Sequence, residues 1–277
     1  MEAHTDVEPL SKGLLTATAS DSPVSIERRA ARGRADLFVR HYWLPRWSLP
    51  SGASLRENVL EYPTANLVVE PGAAALYRAR RGLSSRTLEG TGWAFGVLLH
   101  PGTARGWTGA SVRSLPDVLP VDRLDVPGIA PMVAAVRQAM TAGAHDDAIA
   151  AFEAWLETVP APDDDARLVD RIVAAAEEDR ALLRVEQLAD RFGVGVRRLQ
   201  RLVAGHIGFG PKWLIQRYRL QEAAAALREA HPPRLAALAA ELGYADQAHF
   251  SREFAAVIGT TPGAYAAGQR ASDPAAR

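Results

Sequence analysis

The chain has 277 residues, room for two cores at roughly 100–200 residues per domain. It is 48% hydrophobic and 23% charged with no cysteine, which excludes wholesale disorder, fibrous repeats, disulfides and thiolate chemistry together. The net charge of zero hides an asymmetry, since residues 1–183 sum to −5 and residues 184–270 to +5, so a polyanion-binding module is to be sought in the C-terminal third.

In chain order, residues 1–24 lack periodicity and are expected to form a flexible tail. The opening MEAHTDVEPL has neither the basic cluster nor the apolar core of a signal peptide, and no apolar run approaches the ~20 residues of a membrane span, so a cytoplasmic protein without a membrane partner is expected. From 25 to about 124 the texture is β. Runs such as Asn66–Val69 and Trp93–Leu99 are closed by Pro71-Gly72 and Pro101-Gly102, with further breaks at Pro50, Gly52, Gly82, Gly90 and Gly92. Many short strands with Gly/Pro turns predict a sandwich or barrel. Trp43, Trp47, Trp93 and Trp107 suit either an apolar pocket or the core, with core packing expected for at least half of them. His41 and His100 form no His-x-His pair and have no closely spaced carboxylate, so no metal and no cofactor are expected. GxSxG, HExxH and P-loop motifs are absent, and no catalytic residue is assigned.

Residues 127–159 change to helical spacing. Met132, Val133, Val136 and Met140 mark one amphipathic helix, and Ile149, Phe152, Trp155 and Leu156 a second; the pair 127–159 is the candidate dimer surface, because these last four offer more apolar area than a lone helix needs. The segment 160–165, with two prolines and three adjacent aspartates, is the expected linker, and Asp165 is placed to cap a helix from Ala166 to about Ala181.

The remainder is duplicated. Val185, Leu188, Ala189 and Phe192 lead to Gly193; fifty residues later Leu235, Leu238, Ala239 and Leu242 lead to Gly243. The next segments recur at an offset of fifty-one, Gln200-Arg201 against Ser251-Arg252, Ile207-Gly208 against Ile258-Gly259 and Pro211 against Pro262. Each copy reads as a helix-turn-helix. In the first, Val196, Leu199, Leu202 and Val203 form the inward stripe, leaving Arg197, Arg198, Gln200 and Arg201 outside. In the second, Phe250, Phe254, Val257 and Ile258 turn inward, leaving Gln247, Ala248, Ser251 and Arg252 outside. Arginine can bridge guanine O6/N7, glutamine can pair with adenine N6/N7, and an alanine methyl can meet a thymine methyl. His249 falls between the faces and is expected to pack or meet solvent. Between the copies Pro211 opens a longer helix with Trp213, Leu220 and Leu227 on an apolar face, and Arg217 and Arg219 either brace or solvate it.

The stretch LAALAAELGYADQAHFSREFAAVIGTTPGAY (235–265) resembles the second helix-turn-helix signature of the AraC/XylS family of bacterial transcription regulators, and residues 184–220 resemble its first unit and linker helix. One departure is Gly195, where the family usually has a capping serine. The resemblance implies seven helices over about 166–270, two of them recognition helices in successive major-groove turns, with double-stranded DNA as partner. It also admits RNA polymerase, a small-molecule effector and a second copy of the chain as partners, and a role as activator. Residues 25–159 resemble, more weakly, the cupin-like sensor regions that precede this domain. The expected fold is α+β in two domains, a β-barrel or sandwich with flanking helices and then an all-α domain. The competing reading is a cupin-type barrel enzyme carrying a DNA-binding appendage; an alkylation-repair sensor would need a reactive cysteine, and there is none. A non-enzymatic regulator is expected, with its effector site unassigned.

Overall fold

The computed structural model describes residues 22–229 and 231–271. The expected tail lies outside them for residues 1–21, and the final segment for 272–277. Contacts divide the chain into two units. One holds the residues up to Arg80, Ser84–Arg171 and Leu202–Phe209; the other holds Arg81–Leu83, Ile172–Arg201 and the residues from Gly210 onward.

The first unit is built on strands β1 (Val24–Arg29), β2 (Val39–Ser48), β3 (Ser54–Leu60), β4 (Asn66–Val69), β5 (Ala74–Tyr77), β6 (Leu83–Glu89), β7 (Thr91–Trp93), β8 (Phe95–Leu99) and β9 (Val118–Pro120). Seven of them form an antiparallel sheet in the order β1-β2-β8-β4-β5-β9, with β7 also paired to β2; β3 and β6 pair by themselves. The α+β class stands, but the sheet is open, so the barrel form of the expectation is corrected. Closure would require β1 to pair with β9. Helices bury the apolar face instead, and nothing then requires the edges to meet. The expected strand Trp93–Leu99 is divided at Ala94, whose N–H donates to the Pro45 carbonyl at 3.1 Å.

Side chains alternate across the sheet because the strand period is two. On one face Tyr42, Leu44, Leu67, Val69, Leu76, Phe95, Val97 and Leu99 meet α2 (Ile129–Thr141) and α3 (His145–Leu156). These are the two helices that the 127–159 periodicity predicts. Phe152, Trp155 and Leu156 are all buried in this core and Ile149 packs against it, which corrects their expected use as a dimer surface. Their apolar area is consumed by the sheet. Tyr42 is satisfied within the core by donating to Glu153 Oε1 at 3.1 Å. Arg34 caps the C-terminus of α3, donating to the carbonyls of Leu156 at 3.1 Å and Val159 at 2.6 Å.

The four tryptophans divide between the faces. Trp93 and Trp107 belong to the core, whereas Trp43 and Trp47 lie half-buried on the opposite face. Trp43 stands across from Gly96 and Trp47 across from Gly92. A Cβ at Gly96 would fall 2.0 Å from the Trp43 ring and one at Gly92 2.2 Å from the Trp47 ring, so each indole lies directly on a glycine. The Trp43 Nε1–H donates to Asn66 Oδ1 at 3.3 Å and the Trp47 Nε1–H to the Glu89 carbonyl at 3.1 Å. His41 has its ring centroid 6.4 Å from that of Tyr62, beside the charges of Arg28 and Arg40, a setting that repels a cation.

After β8, Pro101-Gly102 leads into α1 (Thr103–Thr108). The Gly102 N–H donates to Asp170 Oδ1 at 2.7 Å, and a Cβ on Gly102 would lie 2.4 Å from the Ala166 carbonyl oxygen. Asp170 and Ala166 stand on α4 (Asp164–Glu178). Its cap is Asp163, whose Oδ1 accepts from the Ala166 N–H at 2.7 Å, where the sequence had pointed to Asp165. The helix starts earlier because the prolines stop at 162.

Gly96→Ala should destabilise the protein by about 1–3 kcal/mol, the range for overpacking, because the indole of Trp43 cannot retreat without leaving Asn66. Gly72→Ala, where an added Cβ meets nothing within 4 Å, is the control. Thermal unfolding of both variants checks this, and equal midpoints would contradict it.

Burial, with the charges of Arg28 and Arg40, holds His41 down to about 4, and burial also lowers His100 and His206. The unfolded chain protonates these groups first, near 6.5, so all three remove stability as pH falls below about 6.5, His41 down to about 4. Asp170, pushed up to about 6 mainly by burial, takes its proton in the folded state and opposes that loss between about 6 and 3.8. The unfolding midpoint should therefore fall between pH 7 and 5, less steeply in His41→Gln. A midpoint independent of pH over that window would refute the assignment.

Candidate nucleic-acid interface

Between residues 164 and 271 the described chain holds seven helices: α4, then α5 (Val185–Arg191), α6 (Val196–Ile207), α7 (Pro211–Ala226), α8 (Leu235–Glu241), α9 (Gln247–Ile258) and α10 (Pro262–Ala271). The duplication extends to backbone geometry. Gly193 after α5 and Gly243 after α8 have φ of +61° and +69°, a left-handed conformation that only glycine adopts without strain. Beyond each, the chain bonds back to the helix it has left, Val194 N–H to the Ala189 carbonyl at 3.0 Å and Tyr244 N–H to the Ala239 carbonyl at 2.9 Å. The second helices end alike, at Gly208 (φ +85°) and Gly259 (φ +81°), and Pro211 and Pro262 begin the next helices. The pairs α5–α6 and α8–α9 are two copies of one helix-turn-helix.

Apolar burial decides which faces remain outside. In α6, Leu199, Leu202 and Val203 are buried, which leaves Arg197, Arg198, Gln200 and Arg201 exposed. In α9, Phe250, Phe254 and Ile258 are buried, leaving Gln247, Ala248 and Arg252 exposed and Ser251 half-buried. All eight residues singled out in the sequence thus stand on the two second helices, away from the buried stripes. Val196 and Val257, expected inside, are only half-buried. The faces differ in charge. Residues 196–207 contain three arginines and no acid, whereas 247–258 contain one arginine and one glutamate.

The copies also differ at their caps. Asp246 starts α9 by accepting the His249 N–H on Oδ1 at 2.7 Å, while the matching position before α6 is Gly195, which has no side chain to accept such a bond. His249 packs as expected, edge-on to Tyr244 with ring centroids 5.3 Å apart and with Nε2 3.3 Å from Glu253 Oε1.

The long helix α7 packs against both α5 and α9. Leu214, Ile215, Tyr218, Leu220, Ala223 and Ala224 are buried, a wider apolar surface than the expected seven-residue stripe, because a helix with neighbours on two sides has little free face. Arg217 is 2% exposed and donates from Nη1 to Gln221 Oε1 at 2.7 Å, so it braces the helix. Arg219 lies over the ring of Tyr244, 4.6 Å from its centroid. In the sequence its role stays open between bracing and solvation, and no local spacing marks this stack. The one available signal was that an aromatic follows the second turn glycine where Val194 follows the first.

Residues 188–268 match a family described as a helix-turn-helix domain, and residues 35–119 match a domain of unknown function. An uncharacterised helix-turn-helix-type transcriptional regulator from Haemophilus influenzae is 31% identical over 101 residues, 36% of this chain and 34% of that protein. The aligned part thus spans about a third of the curated relative. Among solved structures, apo ToxT from Vibrio cholerae covers 86% of this chain and 98% of its own with 9% identity and a TM-score of 0.41. A second structure of ToxT, bound to a naphthalenyl-butenoic acid, gives 10% identity, 89% and 98% coverage and a TM-score of 0.39.

Asp246→Ala removes a cap worth about 0.5–2 kcal/mol, whereas Gly195→Ser should add only a few tenths. Denaturant unfolding of the two variants should show the first clearly less stable and the second equal to or slightly above the parent. A neutral Asp246→Ala would mean that α9 is held without its cap.

Proposed function

We propose, from the premise that residues 188–268 are an AraC-type helix-turn-helix domain, that this chain is a DNA-binding transcriptional regulator whose two second helices read successive turns of the major groove. The observation that carries the reading is the duplicated outward face. The same backbone turn, repeated at an offset of fifty residues, exposes Arg197, Arg198, Gln200 and Arg201 on α6 and Gln247, Ala248 and Arg252 on α9, with Ser251 beside them. The arginine forks of Arg201 and Arg252, at equivalent positions, suit guanine edges; Gln200 and Gln247 suit adenine; Ala248 suits a thymine methyl. Three arginines without an acid make α6 the stronger phosphate-attracting element.

The modules we infer are residues 25–159 for sensing or dimerisation, a linker at 160–165 whose last two residues open α4, and the reading domain at 166–270. In this reading the protein is bacterial and cytoplasmic, acts as an activator that touches RNA polymerase, and answers to a small-molecule effector or a second copy of the chain. No helix of the described residues is long and apolar enough to cross a membrane. The open sheet is not the closed barrel from which the competing reading of a cupin-type enzyme starts.

Selection of bound fragments from a random DNA pool supplies the operator. Arg201→Ala and Arg252→Ala should each relax preference at one base position by about 1–3 kcal/mol, the two positions lying about 10 base pairs apart. Arg197→Ala should reduce the salt dependence of binding by about one phosphate contact. Exposed Arg123, in the first unit, is the control, and its replacement by alanine should change nothing. If Arg252→Ala weakens operator and random DNA equally, α9 anchors phosphates and does not read bases. If neither Arg201→Ala nor Arg252→Ala alters binding, the two-headed reading fails.

A further inference from the structure

At one inward position the two helix-turn-helix copies differ in kind. The offset of fifty-one that aligns Arg201 with Arg252 also aligns Leu202 with Glu253. Leu202 is buried in the inward stripe of α6, whereas Glu253 is half-buried on α9, beside the buried Phe254. The same motif thus accepts leucine where the second copy carries a carboxylate. Buried ionic and polar links are often replaceable by apolar side chains without loss of stability, and their best-attested use is to fix register.

Glu253 joins three parts of the helical unit. Its Oε2 accepts from Gln216 Nε2 on α7, and its Oε1 lies 3.3 Å from His249 Nε2, one turn earlier on α9. The His249 N–H is the one that Asp246 caps, and the His249 ring stands edge-on to Tyr244 in the preceding turn. Burial and the charge of Glu253 both raise the Tyr244 phenol above its ordinary range, so the carboxylate also bears on the turn. These side chains line a groove of about 400 Å³ between the starts of α5 and α7 and the α8–α9 turn. Apolar burial of Phe250, Phe254 and Ile258 holds α9 in place but is non-directional, and it tolerates a small roll of the helix about its axis. A hydrogen bond to α7 is set by distance and angle and does not.

We propose that Glu253, through its bond to Gln216, is a positioning residue that fixes the roll of α9 and so decides which bases Gln247, Ala248 and Arg252 reach. The inference rests on the reading of α9 as a base-reading helix and adds to it a residue that itself touches no DNA. A side chain that bridges two atoms of one base tolerates little rotation of the helix carrying it. Leu202, at the equivalent place on α6, can form no such bond, so the dependence is confined to the second head.

Binding of the full chain to the selected operator, to its single-base variants and to random DNA tests this. Glu253→Leu, which installs the residue of the first copy, and Gln216→Ala should each lower discrimination by about fivefold or more, the low end for one base contact, at the position that Arg252→Ala relaxes. The position that Arg201→Ala relaxes should not change, and the melting midpoint of Glu253→Leu should equal or exceed the parent's. Glu253→Gln removes the charge but keeps an oxygen that accepts from Gln216, and should discriminate like the parent. Should Glu253→Leu fail to fold, Gln216→Ala and Glu253→Gln decide. Unchanged discrimination in both Glu253→Leu and Gln216→Ala, with the operator still bound, overturns the proposal and leaves the two-headed reading standing. Relaxation as large in Glu253→Gln as in Glu253→Leu overturns it too, because the charge and not the bond would then matter, and so does equal relaxation at both heads. A parent chain that selects no operator overturns the two-headed reading and this inference together.

Discussion

The helical unit depends on a pair of backbone hydrogen bonds closed around left-handed glycines. At Gly193 and again at Gly243 the chain takes a φ near +65°, and the next N–H returns to the carbonyl four residues before the glycine, Ala189 or Ala239. Any other residue at that φ would carry a steric penalty of roughly 1 kcal/mol or more. The turn fixes the angle between the two helices of each pair. Leu188 and Ala189, or Leu238 and Ala239, are thereby committed to the inside, and the opposite face of the following helix is committed to solvent. The exposed arginines of α6 are a consequence of that geometry as much as of their own polarity.

Duplication has not made the halves equivalent. The second turn is one residue longer, and at its last position Asp246 caps α9 where the first copy has only Gly195. The basic face of α6 suits non-specific attraction to a polyanion, while the nearly neutral α9 depends on contact chemistry at base edges. Tyr244, in place of Val194, carries Arg219 on its ring and walls the groove beside α9. The same duplication that builds two reading heads thus leaves one of them with an aromatic ring where the other has an aliphatic side chain.

The first unit is organised by a different rule. The α2–α3 pair covers the apolar face of its sheet, and on the other face Trp43 and Trp47 lie over Gly96 and Gly92. Glycine serves here by the absence of a side chain, where in the helical unit it serves by conformational freedom. Direct cross-strand pairing makes the two requirements reciprocal, since an indole can lie flat only where the facing strand has no Cβ.

Elements with local signals were legible in the residues alone. The glycines and prolines at offsets of fifty and fifty-one marked the ends of α5, α6, α8 and α9, apolar spacing marked α2 and α3, and the eight outward residues of α6 and α9 followed from the same periods. Tertiary structure decided what covers each face. Spacing shows that Phe152, Trp155 and Leu156 share a side of a helix, but it cannot say whether a second copy or the chain's own sheet buries them. Whether a sheet closes depends on hydrogen bonds between edge strands nearly a hundred residues apart, which no local pattern encodes. Asp163 took the capping role expected of Asp165 because the helix extended to the last residue the prolines allowed. Arg219 was legible only as an arginine on a helix, because its partner Tyr244 stands twenty-five residues away and meets it solely through the packing of α7 on α9.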